Sequence, residues 1–164
     1  MGDPDDVPSI LFVCYGNLCR SPMAEAILRH RLRRSGREGR IKVDSAGTHA
    51  WAAGDPPHPD TLRVLSRNGV EAGTMRARKV TPADLQEFDQ VIAMDQENLR
   101  FLNGLGPSRN PIELMMGFMP GPTWLDVPDP FIVGGFEEVY EMLDGACEGI
   151  LSRWFPDGGP EPSA

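Results

Sequence analysis

Apolar residues in this chain fall into short unbroken runs separated by longer amphipathic stretches, and that alternation sets the predicted elements. Ile10-Leu11-Phe12-Val13 is a four-residue apolar run bounded by Pro8 and Gly16, the pattern of a strand buried on both faces. From Arg20 to about Ser35, apolar positions recur at helical spacing (Met23, Ala26, Ile27 and His30 or Leu32), with Gly36 as the stop. Ile41–Ala46 predicts a second strand ended by Gly47, and Thr48–Pro59 a long loop rich in Ala, Gly and Pro that carries Trp51. Pro59 or Asp60 opens another helix with Leu62, Val64 and Leu65 as its stripe and Gly69 as its stop. Thr81-Pro82-Ala83-Asp84 combines an N-cap, a Pro at N1 and an acid in the first turn, so a short helix follows. Gln90–Met94 is the third buried strand, succeeded at once by Asp95 and a helical stretch to about Leu102. Ile112–Met116 is a weaker fourth strand. The Pro/Gly-rich segment Pro120–Gly135 is too long and irregular to be a mere connector. Phe136 to about Phe155 closes the series as an amphipathic helix, with Cys147 on its apolar stripe and so a core residue.

Strands alternating with helices imply βαβ units and an α/β fold: a doubly wound parallel sheet covered by helices on both faces. Ligands in such sheets sit beyond the carboxyl ends of the strands. The Cys14 loop, the Ser45–Trp51 loop, Asp95 and the Asp126–Phe131 loop therefore meet on one edge. Residues 1–9 are expected to be a loose leader, 10–155 a single domain, and 156–164 a frayed tail.

Composition narrows the function classes. The 164 residues are 40% hydrophobic and 24% charged, ordinary for a soluble globular chain. No apolar run approaches a membrane span, and the acidic Met1–Asp6 resembles neither a signal peptide nor, with Asp6 in place of Ser or Thr, a myristoylation signal. A cytoplasmic protein is expected, with secretion lacking a signal peptide left open. A net charge of -8 and a pI near 4.8 argue against nucleic acid as a partner. Seven of the 16 basic residues lie between Arg29 and Lys42, read as a solvated helix face and loop rather than a docking patch. Three cysteines make a poor disulfide framework, and neither they nor His30, His49 and His58 show metal-ligand spacing. A monomer or a weak self-associate is expected.

One stretch carries chemistry. In Val13-Cys14-Tyr15-Gly16-Asn17-Leu18-Cys19-Arg20-Ser21-Pro22, a strand feeds a short Gly-containing loop that opens a helix, aiming backbone N–H groups and the helix dipole at one point. That is an anion cradle, and it carries a thiol at Cys14 and a guanidinium at Arg20. The positive potential favours the Cys14 thiolate as a nucleophile. The backbone from Tyr15 to Arg20 and the Arg20 fork can hold phosphoryl oxygens most tightly in the in-line transition state. Ser21 can donate to the Cys14 sulfur, and Asn17 can hold the loop in shape through bonds to neighbouring backbone. A general acid has to come from elsewhere: Asp129, stiffened by Pro128 and Pro130 and shielded by Phe131, is favoured over Asp126.

These residues resemble the low-molecular-weight protein tyrosine phosphatases. The decapeptide is similar to that family's phosphate-binding signature, and Asp129-Pro130-Phe131 to its general-acid segment. Asp44-Ser45-Ala46-Gly47-Thr48, Ala77-Arg78, and Met94-Asp95 with Asn98 resemble further landmarks, in order from about Ile10 to Leu151. The resemblance implies a four-stranded parallel sheet and hydrolysis of phosphotyrosine in protein substrates. In the implied mechanism a phosphocysteine forms on Cys14 and Asp129 protonates the leaving phenol, with no metal or cofactor. It implies that Gly16, Asn17, Leu18, Cys19 and Ser21 bind phosphate, that Tyr15, Trp51 and Phe131 line an aromatic slot, and that Cys19 can pair with Cys14 on oxidation. Tyr15, Phe131 and Met75 depart from the family's usual residues; Met75 replaces a frequent His and removes a supporting hydrogen bond.

Three rival readings remain. Arsenate reductases share the loop but use further cysteines, and here only Cys147 is left. Protein-arginine phosphatases have Thr where this chain has Leu18, whose apolar bulk suits an aromatic ester. A silent phosphate-binding module needs neither Cys14 nor Asp129.

Overall fold

The computed structural model describes residues 7–121 and 125–156. The first six residues of the expected leader, residues 157–164 of the expected tail and 122–124 within the Pro/Gly-rich segment lie outside the described residues. Strands β1 (Ser9–Cys14), β2 (Lys42–Gly47), β3 (Gln90–Ala93) and β4 (Glu113–Leu114) form one parallel sheet in the order β2-β1-β3-β4. Between and after them run α1 (Arg20–Arg34), α2 (Pro59–Arg67), α3 (Pro82–Glu87), α4 (Gln96–Leu105), α5 (Pro130–Val133) and α6 (Phe136–Trp154). Among the described residues no helix is long and apolar enough to cross a membrane.

The unbroken apolar run of β1 places it at the centre of the sheet. Alternate side chains enter two cores: Ile10 and Phe12 pack with residues of α1, α2 and α6, while Leu11 and Val13 pack with Leu85 of α3 and Leu102 of α4. Both faces are thus covered, as the alternation of elements predicts. Thr81 and Asp84 close a capping box on α3, the Thr-Pro-Ala-Asp pattern realised. Gly36, at φ 73°, takes the left-handed turn that ends α1.

Several expectations need correction. The fourth strand is two residues long, not five, because Met115–Phe118 turns into a 3-10 helix that drives Met115, Met116 and Phe118 into the core beside α6. β1 starts at Ser9, whose N–H and hydroxyl bind the Asp89 carboxylate, so this residue belongs to the sheet rather than to a leader. The first half of α1, Arg20 to Leu28, is buried all round rather than on one stripe. In α2 the inward positions are Thr61, Val64 and Leu65; Leu62 is only half-buried, since Thr61 turns in to donate to the Leu18 carbonyl at 3.1 Å. The basic cluster is not all solvated: Arg37 is 8% exposed and lies 4.3 Å over the Phe155 ring.

Candidate active site

Strand β1 delivers Cys14 to the carboxyl edge of the sheet, where the chain leaves it for α1. The loop between them is stitched to its neighbours: Cys14 O and Tyr15 O accept from Thr48 N and His49 N at 2.9 and 2.8 Å, and Leu18 O accepts from His58 N at 2.9 Å. Gly47 is essential to this fit. A Cβ there would lie 2.7 Å from Tyr15 O and 3.0 Å from Asn17 N, so only glycine lets β2 run this close to the loop. Periodicity makes Gly47 a strand terminator; only the packing reveals its second role.

Cys14 Sγ sits 2.9 Å from Ser21 Oγ and receives the Asn17 N–H at 3.3 Å. Asn17 holds a left-handed backbone, φ 59°, that a non-glycine residue keeps only when surrounding bonds enforce it. Those bonds differ from the expected ones to neighbouring backbone. The Asn17 amide donates to Ser21 Oγ at 2.9 Å and Ser45 Oγ at 3.0 Å, and its carbonyl accepts the distant Arg78 N–H at 2.9 Å. Ser45 in turn donates to Glu25 at 2.7 Å, and Glu25 pairs with Arg29 at 2.7 Å. Burial raises the Glu25 carboxyl above its ordinary pKa despite the Ser45 and Arg29 contacts.

Arg20 is almost wholly buried. Its Nη1 donates to Asp95 at 2.7 Å and to the Val127 carbonyl at 3.0 Å, and its Nη2 lies 3.5 Å from Asp129. Burial opposes its charge, yet Cys14, the Asp95 hydrogen bond and Asp129 outweigh that and raise its pKa. Its buried Nε has no partner among the described residues. Cys19 N-caps α1 without a side-chain hydrogen bond, so its own side chain does not cover the first-turn N–H groups. An unpaired guanidinium nitrogen beside an uncapped helix start is a place for an anion.

The acid segment reaches the same place from the opposite side of the sheet. Val127 N–H donates to Met94 O at the end of β3, at 2.9 Å, and Asp129 then N-caps α5 by accepting the Phe131 N–H at 3.1 Å. Asp126 is engaged elsewhere, accepting from the Gln96 backbone at 2.9 Å. Cys14, Tyr15, Gly16, Leu18, Cys19, Arg20, Trp51, Asp129 and Phe131 line a cleft of about 290 Å³ that opens to solvent. Phe131 meets Trp51 edge-on at 5.8 Å, and Tyr15 stacks on His49 at 4.8 Å. Of the expected site residues, Asn17 and Ser21 lie behind the wall, acting on it through hydrogen bonds. Met75 is partly buried and packs against the core.

Two further cysteines are quiet. Burial pushes the Cys19 thiol up to about 12, and it also raises that of Cys147 on the inner face of α6. Among the described residues, no group of three or more His, Cys, Asp and Glu could hold a metal ion. Sequence reading leaves Asp95 as a landmark without a task, although an Asp directly after a strand, with Asn98 three residues on, marks an N-cap on the functional edge. The Val127 carbonyl carries no sequence signal, and Arg78, a landmark of the resemblance, gives no hint that its backbone N–H binds Asn17.

Comparison with known proteins agrees with this architecture. A family model described as low molecular weight phosphotyrosine protein phosphatase matches residues 9–155. The chain is 44% identical over 146 residues to the low molecular weight protein-tyrosine-phosphatase YfkJ of Bacillus subtilis, covering 88% of this chain and 94% of that one. It is 41% identical over 148 residues to the low molecular weight phosphotyrosine protein phosphatase of Schizosaccharomyces pombe, covering 87% and 94%. The crystal structure of YfkJ superposes with a TM-score of 0.89 at 42% identity, over 93% of this chain and 97% of that one. A Drosophila arginine phosphatase superposes with a TM-score of 0.82 at 30% identity, over 89% and 97%. With the family model matched over nearly the whole chain and relatives above 40% identity, the chain belongs to the low molecular weight phosphotyrosine protein phosphatase family.

Proposed function

We propose that the protein is a protein tyrosine phosphatase that hydrolyses phosphotyrosine through a phosphocysteine on Cys14, with Asp129 as general acid. The observation that carries this reading is the meeting in one cleft of the Cys14 thiol, the half-satisfied Arg20 guanidinium and the Asp129 carboxylate. The phosphoryl group enters with its terminal oxygens toward the loop backbone and Arg20, and the Cys14 sulfur attacks in line with the ester oxygen. Donors fixed before substrate arrives favour the charge distribution of the transition state. Asp129 gives its proton to the departing phenol, and as carboxylate it then takes one from the water that hydrolyses the phosphocysteine. Ser21, bound to the sulfur at 2.9 Å, stabilises the thiolate as it attacks and as it leaves. Tyr15, Trp51 and Phe131 supply the walls of a slot for an aromatic ring, and Leu18 gives its lining an apolar side chain that suits an aryl ester better than a guanidino group.

The substrates are phosphotyrosine-bearing proteins, and the protein works as a cytoplasmic monomer or weak self-associate. The test is hydrolysis of an aryl phosphate in the presence of a chelator, with acid-quench trapping of a phosphoenzyme. Cys14→Ser abolishes both, and turnover surviving that change overturns the mechanism. Phosphotyrosine, phosphoarginine and arsenate compared in one assay separate this reading from its rivals, with phosphotyrosine preferred.

A further inference from the structure

The turn that carries Asp129 also carries two side chains that the chemistry does not use. In α5, Pro130 is buried and Phe131 faces the cleft, but Ile132 and Val133 are 78% and 70% exposed. Large exposed apolar side chains are not scattered over this molecule. Among the described residues they are Tyr15, Trp51 and Phe131, which line the cleft, and Leu125, Ile132 and Val133, which stand on the acid segment beside it. An apolar patch gathered at the mouth of a polar cleft marks a surface that is covered in use.

The shelf is built to be stiff. The N–H groups of Ile132 and Val133 both donate to the Asp129 carbonyl at 3.1 Å, and Gly134 N–H donates to Pro130 O at 2.9 Å. Both side chains are β-branched and hold few rotamers, so little freedom is lost on contact. The charge around it points the same way. Arg20 is the only cation lining the cleft among the described residues, and it is engaged by Asp95, Val127 and Asp129. Asp126 and Glu138, the latter close against Gly135, add negative charge on either side of α5. An acidic neighbour of the phosphate would meet carboxylates there, and an aliphatic one would meet Ile132 and Val133.

We propose that Ile132 and Val133 form a docking shelf for an apolar side chain next to the phosphotyrosine, so that the enzyme selects phosphotyrosine segments with aliphatic neighbours. The proposal rests on the phosphotyrosine reading above and adds a sequence preference to it. A phosphotyrosine held in the cleft leaves its neighbours at the mouth. Successive residues of an extended peptide are only about 3.3–3.6 Å apart along the chain, and Ile132 and Val133 follow the cleft-lining Phe131 within the single turn of α5, which puts the shelf within their reach.

The experiment compares kcat/KM on three phosphotyrosine peptides that differ only in flanking leucine, serine or glutamate. Wild-type and Ile132→Ser/Val133→Ser proteins are assayed side by side, with p-nitrophenyl phosphate as a probe that has no flanks. The wild type is expected to prefer the leucine peptide over the serine peptide by about five- to tenfold, as partial burial of one aliphatic side chain supplies. In the double variant that ratio falls below about twofold, while p-nitrophenyl phosphate turnover, which also reports folding, is unchanged. A wild type with no leucine preference, or with a glutamate preference, overturns the proposal. So does a preference that survives in the variant, or a shelf whose loss changes only self-association measured by sedimentation. Failure of the wild type on p-nitrophenyl phosphate removes the phosphatase reading itself, and the shelf's role with it.

Discussion

In the stretch from Cys14 to Ser21, Asn17, Arg20 and Ser21 are at most 2% exposed, and partners outside the stretch come from β2, the N-cap of α4 and the segments around Arg78 and Val127. In the turn from Asp129 to Val133, which is open to solvent, the only side-chain bond among the described residues is the one Asp129 makes to the turn's own backbone, besides its long contact to Arg20. The difference fits the role proposed for each part. Donors that stabilise a transition state have to be in place beforehand, and burial with crossed hydrogen bonds fixes them. An acid that protonates whichever phenol arrives needs only to reach the ester oxygen, so its surroundings are free to vary with the substrate. The phosphate loop is where the fold constrains the sequence; the acid turn is where specificity can be written.

The sharpest way to break this contrast is at Asp129. Asp129→Ala is expected to lower kcat on poor leaving groups by about 10²–10⁴-fold and to leave good leaving groups nearly unaffected, with at most about 1 kcal/mol of stability lost through the N-cap of the short, exposed α5. A leaving-group series checks it, and equal losses across the series would take the acid's role from Asp129. Asn17→Ala should do the reverse and damage fold and catalysis together. It removes the amide bonds to Ser21 and Ser45, leaves the Arg78 N–H without its acceptor and places alanine at φ 59°, costing about 2–4 kcal/mol in urea unfolding. Gly47→Ala probes the same loop from behind: its Cβ would strike Tyr15 O, so about 1–3 kcal/mol of stability and part of kcat are lost, measured by thermal unfolding and steady-state kinetics.

The smallest expected effect is chemical. A thiol whose pKa is raised stays protonated below that value, and only the thiolate is nucleophilic. With Cys19 pushed up to about 12, iodoacetamide at neutral pH should label Cys14 and leave Cys19 and the buried Cys147 unmodified, read by peptide mass spectrometry. Labelling of Cys19 in native Cys14→Ser protein at neutral pH would contradict the buried, neutral thiol.

Much of the fold is legible in the chain because its signals are local. Four apolar residues at Ile10–Val13 demand a strand covered on both faces, and Thr81 with Asp84 announces a cap before any tertiary contact exists. The weak fourth strand misleads for a physical reason: Met115 and Met116 are apolar because they enter the core from a 3-10 turn, and periodicity over five residues does not separate that from a strand. In the site, Cys14, Arg20 and Asp129 are legible by residue type, since a thiol, a fork and a Pro-flanked acid are chemically distinctive.

What the sequence by itself determined is the order of elements, the sheet edge on which four loops meet, and the reactive groups of the phosphate loop. Those depend on hydrophobic period and residue chemistry, which act over a few positions. Only the tertiary structure decided that Asn17 is held by Ser45 and Arg78, that Asp95 and the Val127 carbonyl anchor Arg20, and that Gly47 must lack a side chain. It also separates two carboxylates three residues apart, turning Asp126 to the Gln96 backbone and Asp129 to the cleft. Each of these is a contact between segments distant in sequence, fixed by packing the two cores onto β1, and no local pattern encodes it.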